Sequence, residues 1–150
     1  SYSLYADSTA SWFVEQAGED WPEIRIETIR LLQRDRELRE IAGLVGVDAL
    51  EDSDRLVLEG AQIAREFVIG QNAFHPHDAF SSVQKTYELA RLLWRFMRRG
   101  SKALGDGVSF DKLDLSGVRL ALGAVKTAPP EDLEARVADT EATISNMEAE

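Results

Sequence analysis

Leu32-Gln33-Arg34-Asp35-Arg36-Glu37-Leu38-Arg39-Glu40-Ile41 and, a few residues on, Val45-Gly46-Val47-Asp48-Ala49-Leu50-Glu51-Asp52-Ser53-Asp54-Arg55-Leu56 form the stretch from which the rest of this chain can be read. From Ile24 through Leu31, Leu38, Ile41 and Val45 the apolar positions fall three, four or seven apart, with Arg34, Asp35, Arg36 and Glu40 on the opposite side. That spacing predicts a long amphipathic helix. Gly43 and Gly46 weaken its end, and Gly46 is placed to close it through a left-handed backbone conformation. The acidic run from Asp48 to Asp54 then leads into a further helix with Leu56, Gly60, Ile63, Ala64 and Phe67 on one face and Gly70 as its stop.

The same period extends in both directions. Upstream, Trp12 and Phe13 begin a short helix, and Asp20 with Pro22 resembles the cap and first turn of the long one. Downstream, a loop carries Phe74, His75, Pro76, His77 and Phe80, after which Ser82 is placed to cap another helix. Val83, Tyr87, Ala90, Trp94 and Met97 line one side of it, widened by Leu89, Leu93 and Phe96, and Arg98 and Arg99 complement its C-terminal dipole before Gly100. Gly105 to Ser109 reads as a loop and Leu113 to Ala124 as one or two short helical turns. Pro129-Pro130 opens a final acidic helix through Leu133, Val137 and Ile144, expected to be loosely docked or frayed. Strand-like alternation is nearly absent, so the expected fold class is all-α, a single helical bundle over residues 1–150.

Composition narrows the function classes. The chain has 150 residues, 44% hydrophobic and 29% charged, enough for a folded domain with a core. A formal net charge of −10 argues against a surface that neutralises nucleic-acid phosphates or anionic lipid. Without cysteine there are no disulfides, thiolate zinc sites or thiol nucleophiles. No apolar run approaches the roughly 20 residues of a membrane span. The start at Ser1, inside an aromatic patch of Tyr2, Tyr5, Trp12 and Phe13, is expected to be a boundary within a longer protein.

Two segments carry a family resemblance. The helix, acidic loop and helix quoted above resemble those of rotary ATPase catalytic subunits; F-type beta subunits have a DELSEED loop where this chain reads DALEDSD at Asp48 to Asp54. Gln71-Asn72-Ala73-Phe74-His75 is similar to a sequence of the catalytic A subunit of V-type and archaeal-type ATPases, as is the opening Ser1-Tyr2-Ser3-Leu4-Tyr5. The resemblance runs in order along nearly the whole chain and weakens beyond Gly100.

The resemblance implies the C-terminal helical domain of such a subunit, cytoplasmic and peripheral to the membrane. It would couple ATP hydrolysis or synthesis at the A/B interface to central-stalk rotation and proton or sodium transport. Its partners would be the B subunit, the central-stalk subunits and its own nucleotide-binding domain. Asp48, Leu50, Glu51, Asp52 and Asp54 would meet the stalk, the acids through screened attraction and Leu50 through steric contact. Each acid equally well caps the following helix or solubilises a turn. Phe74 and Phe80 match aromatic positions near the adenine pocket, where a ring stacks on the base; core packing is the alternative for both, and Gln71 and Asn72 are supporting polar groups. No GxxxxGK[ST] loop is present, so no catalytic residue is assigned; ATP and Mg would belong to the full-length subunit, with no cofactor in these residues. His75 and His77 supply at most two metal ligands, so no metal site is assigned. The strip Arg91, Arg95, Arg98 and Arg99 reads as a solvated face or as partners for acids of the same domain. Two alternatives stay open: the equivalent domain of an F-type beta-like or flagellar-type ATPase, and a free-standing helical adaptor.

Overall fold

The computed structural model describes residues 20–69 and 79–148. Among them are α1 (Trp21–Val45), α2 (Asp52–Ile63), α3 (Ala79–Gly105), α4 (Leu115–Thr127) and α5 (Leu133–Ser145), with no strand. The fold is all-α. Short 3-10 turns at Val47–Ala49, Phe110–Lys112 and Pro130–Asp132 lead into α2, α4 and α5, and α2 continues as a π-helical turn over Ala64–Ile69. The expected helix around Trp12 and Phe13, the stop at Gly70 and the loop residues Gln71 to His77 lie outside the described residues.

The heptad spacing of Ile24, Leu31 and Leu38 places one side of α1 against α2 and α3; Ile24 and Leu38 are fully buried. Asp35 departs from expectation. Placed on the polar side by the sequence, it is 1% exposed and takes Arg39 and Arg65 as partners. Ile41 and Val45, expected on the buried face, are exposed because α1 runs beyond the end of the core. Gly46 does close α1, its N–H reaching Ala42 O at 2.8 Å, with φ 90° and ψ 150°. That positive-φ, extended-ψ region is essentially glycine's alone, and it differs from the expected left-handed helical cap.

Asp20 stands before α1 but makes no side-chain cap; its Oδ1 instead accepts a 2.6 Å hydrogen bond from the Tyr87 hydroxyl. Pro22 occupies the first turn, where a missing N–H costs nothing. The buried face of α2 is as expected, with Leu56, Gly60, Ile63 and, in the following turn, Ala64 and Phe67 all covered.

Helix α3 supplies the centre of the core through Leu89, Leu92, Leu93 and Phe96, while Tyr87, Trp94 and Met97 are half-buried at its flank. Two of its expected boundaries are corrected. It begins at Ala79, so Phe80 and Ser82 lie within the helix and Ser82 does not cap it. It also passes through Gly100 to Gly105: a Cβ at position 100 would stand 2.9 Å from Leu56 Cδ1, so this glycine is an approach point of α2 and α3. Packing there overrides glycine's low helix propensity.

The C-terminal third is more ordered than its sequence promised. Leu115–Thr127 is a 13-residue helix, its start capped by Asp114 Oδ1, which accepts from Gly117 N at 2.9 Å. Helix α5 is firmly docked on α3 and α4: Val137, Thr140, Ile144 and Met147 are buried. Thr140 Oγ1 donates to Arg136 O at 2.8 Å, and Asp114 N donates to Met147 O at 2.7 Å. The expectation of a frayed last helix fails because Val137 and Ile144, already legible as its apolar positions, are joined by Thr140 and Met147 in one buried seam.

Candidate functional site at the tip of the helical hairpin

The end of α1, the Val47–Ala49 turn and the start of α2 project a tip whose side chains divide into three groups. The first was missed as a surface by sequence reasoning. Leu44 is 87% exposed, Val45 60%, Val47 50% and Ile41 43%. These large apolar side chains, turned to water within one helical turn and the bend after it, form an exposed apolar cluster of the kind that accompanies interaction surfaces. The available signal was Leu44-Val45-Gly46-Val47 itself, an apolar run astride a helix stop, where a solvated turn would carry polar residues.

The second group is outward-facing acid. Asp48 and Glu51 are exposed, and their side chains make no hydrogen bond or ion pair among the described residues. They rim the apolar patch with negative charge.

The third group is acid and leucine turned to structural use. Asp52 Oδ2 accepts from Phe110 N at 3.0 Å, which ties the turn before α4 to the start of α2. Arg55 reinforces that junction, lying 4.6 Å over the Phe110 ring and 3.2 Å from Asp111. Asp54 stands 3.6 Å from Arg34 on α1 and closes the hairpin from within, while Leu50 is half-buried in the bend. Asp52 and Asp54 also sit in the first turn of α2, where negative charge suits the helix dipole. The five residues named for this site thus lie together at the tip, Asp48 and Glu51 facing solvent and Leu50, Asp52 and Asp54 turned partly toward the bundle.

Away from the tip, Phe74, with Gln71, Asn72, His75 and His77, lies outside the described residues, and Phe80 is placed only as a backbone position in the first turn of α3. No group of three or more His, Asp or Glu able to hold a metal is present among the described residues. Near the start of α1, burial and then the hydrogen bond to Asp20 push the Tyr87 hydroxyl up to about 12. The arginine strip of α3 serves the domain itself. Arg91 holds Glu88 at 2.8 Å and Glu141 at 2.6 Å, Arg99 pairs with Glu148, and Arg98 lies over Trp94. A half-open groove of about 490 Å³ between α1 and α3 is floored by Leu31, Leu93 and Met97; Arg30 and Arg34 on its rim are engaged by Glu27, Glu37 and Asp54.

The hairpin tip thus carries an apolar crest with acidic shoulders, and the chain has no phosphate-binding loop. Comparison with known proteins agrees with the sequence motifs. Residues 10–113 match the family model described as the C-terminal domain of V and A type ATP synthase. The chain is 41% identical over 147 residues to the V-type ATP synthase alpha chain of Acetivibrio thermocellus, covering 98% of this chain and 25% of that one. It is 41% identical over 139 residues to the A subunit of the A-type ATP synthase of Methanosphaera stadtmanae (93% and 24% covered). With the V-type ATP synthase alpha chain of Thermoanaerobacter pseudethanolicus it shares 43% over 126 residues (84% and 21% covered). The chain spans about a quarter of the length of the first of these relatives. On the family match and these identities, the chain belongs to the family of C-terminal domains of V- and A-type ATP synthase catalytic subunits.

Proposed function

We propose that residues 1–150 form the C-terminal helical domain through which the A subunit of a V/A-type ATP synthase transmits force between its nucleotide site and the central stalk. The observation that carries this reading is the exposed crest of Leu44, Val45 and Val47 at the end of a long helix, on a chain of this family. In the full-length protein, the preceding domain holds ATP and Mg at the interface with the B subunit. Hydrolysis or synthesis there moves this bundle, and the hairpin tip drives or follows rotation coupled to proton or sodium transport. The assembly is cytoplasmic and peripheral, and no described helix is long and apolar enough to cross a membrane.

The tip acts by shape more than by charge. Apolar side chains supply steric contact at short range, whereas Asp48 and Glu51 attract basic stalk residues over a screened range of roughly 8 Å at physiological salt. Charge of that reach tolerates a sliding partner. Leu50, Asp52 and Asp54 support the tip's shape and complete its acidic flank. Phe74 and Phe80 are assigned to adenine contact on the strength of the family resemblance alone.

A photo-cross-linking residue placed at Val47 in the assembled ATPase is expected to capture one of the central-stalk proteins, while the same residue at Leu120, 80% exposed on α4, is not. Adducts at Val47 confined to its own polypeptide would remove the tip from the stalk interface. For the adenine contact, Phe74→Ala and Phe80→Ala in the full-length protein are expected to raise the nucleotide dissociation constant; unaltered affinity would return both to packing.

A further inference from the structure

The connection from α3 to α4, residues 106–114, is fastened at three places. It leaves α3 by a turn in which Val108 N donates to Ala103 O at 3.0 Å. At its middle, Phe110 N donates at 3.0 Å to Asp52 Oδ2 in the first turn of α2. At its end, Asp114 N donates at 2.7 Å to Met147 O, just past α5, while Asp114 Oδ1 caps α4. The connection is thereby a strut between the base of the tip and the C-terminal helices. Phe110 is buried beneath Arg55, whose guanidinium lies 4.6 Å from the ring centre, and Arg55 also stands 3.2 Å from Asp111.

The acids of the bend are therefore not equivalent. Asp48 and Glu51 face solvent. Asp52 instead gives Oδ2 to the strut, and its Oδ1 stands 4.0 Å from Arg55 Nη1, so its charge is partly compensated within α2. A backbone N–H held by a carboxylate is among the stronger hydrogen bonds a loop can make. Between Asp52 and the crest the chain is tightly turned: Leu50 N donates to Val47 O at 3.0 Å and Ala49 N to Gly46 O at 3.2 Å. Where the first turn of α2 is held, Val47 is held with it.

We propose that Asp52 is a positioning residue for the contact between tip and stalk. It acts as the hydrogen-bond acceptor that seats the first turn of α2 on the strut, and through the bend it sets the crest; it is not a negative charge presented to the partner. This role rests on the function proposed above, which supplies the stalk as the crest's partner. It also distinguishes acceptor from charge at one position. In Asp52→Asn the amide oxygen takes the place of Oδ2, and the amide nitrogen falls where only the 4.0 Å contact to Arg55 is lost.

Stalk association of the assembled catalytic head and amide exchange at Phe110 test it in Asp52→Ala and Asp52→Asn, with Leu44→Asp/Val47→Asp as the reference for a lost tip contact. Asp52→Ala is expected to speed exchange at Phe110 at least tenfold and to weaken stalk association at least threefold, equally at low and high salt. Asp52→Asn is expected to recover both to within twofold of wild type, and it decides by itself if the alanine variant fails to assemble. Weakening by Asp52→Asn that fades as salt rises would make Asp52 a presented charge and overturn the proposal. Unchanged association or unchanged Phe110 exchange in Asp52→Ala would overturn it too. If Leu44→Asp/Val47→Asp still weakens binding in that case, the tip's role stands without the strut; if it does not, the reading of the tip falls as well.

Discussion

Gly100→Ala adds one methyl group at the point where α3 meets α2. The new Cβ would stand 2.9 Å from Leu56 Cδ1, 3.0 Å from Cδ2 and 3.5 Å from Cγ. Carbon atoms rest at about 3.5–4.0 Å, so Leu56 has to retreat by roughly 0.5–1 Å. It is 2% exposed in a filled core and has no solvent side to retreat toward. Overpacking of this kind costs about 1–3 kcal/mol, against which alanine's helix propensity returns about 1 kcal/mol. The net expectation is a loss of about 1 kcal/mol. Urea unfolding reads it as a midpoint lowered by about 0.5 M for an m-value near 2 kcal/mol/M. Gly43→Ala, with nothing within 4 Å of the added Cβ, is the control and is expected to gain about 0.5–1 kcal/mol. In a Leu56→Ala background, where the collision is gone, Gly100→Ala should become favourable. A Gly100→Ala variant as stable as Gly43→Ala in the wild-type background would refute the close approach of the two helices.

The Tyr87 hydroxyl, held near 12 against an ordinary 10, stays protonated in the folded chain after it ionises in the unfolded one. Its stabilisation is therefore fully present below pH 10 and lost as pH rises from 10 to 12, by an amount on the order of 1 kcal/mol once solvent screening is allowed for. The difference in unfolding free energy between wild type and Tyr87→Phe, followed across that window, should shrink; a pH-independent difference would contradict the upward shift that burial and the Asp20 hydrogen bond impose. Lys85 Nζ donates to Lys126 O at 3.1 Å and Ala128 O at 2.7 Å, closing the C-terminal end of α4. Lys85→Met should destabilise the chain by about 1–3 kcal/mol in denaturant melts, and an unchanged midpoint would mean that water replaces the ammonium at no cost.

The sequence showed an all-helical chain because Ile24, Leu31 and Leu38 recur at seven-residue spacing and because Leu56, Gly60, Ile63, Ala64 and Phe67 share one face. It placed the acidic bend between two helices correctly for the same reason. Asp35 was misread since a buried carboxylate is legible only through its partners, and Arg65 is thirty residues away on another helix. Gly100 resembled a stop signal because a glycine at a helix crossing and one at a helix end are the same letter. The tip was half legible. Its acids stood out as a motif, but which of them face outward depends on Phe110 N and Arg34, and the apolar crest followed from where α1 outruns the core rather than from any period.

The central claim is that the crest of the hairpin tip, with its acids in support, grips the stalk. Binding of the central-stalk subunits to the assembled catalytic head, measured for Leu44→Asp/Val47→Asp and separately for Asp48→Ala/Glu51→Ala, addresses it directly. These four side chains are exposed, and neither Asp48 nor Glu51 makes a side-chain hydrogen bond or ion pair among the described residues, so both changes are expected to leave the fold intact. The account predicts at least tenfold weaker association for the apolar pair at every salt concentration, and a smaller loss for the acidic pair that fades as salt rises. Stalk affinity unchanged by Leu44→Asp/Val47→Asp would contradict it.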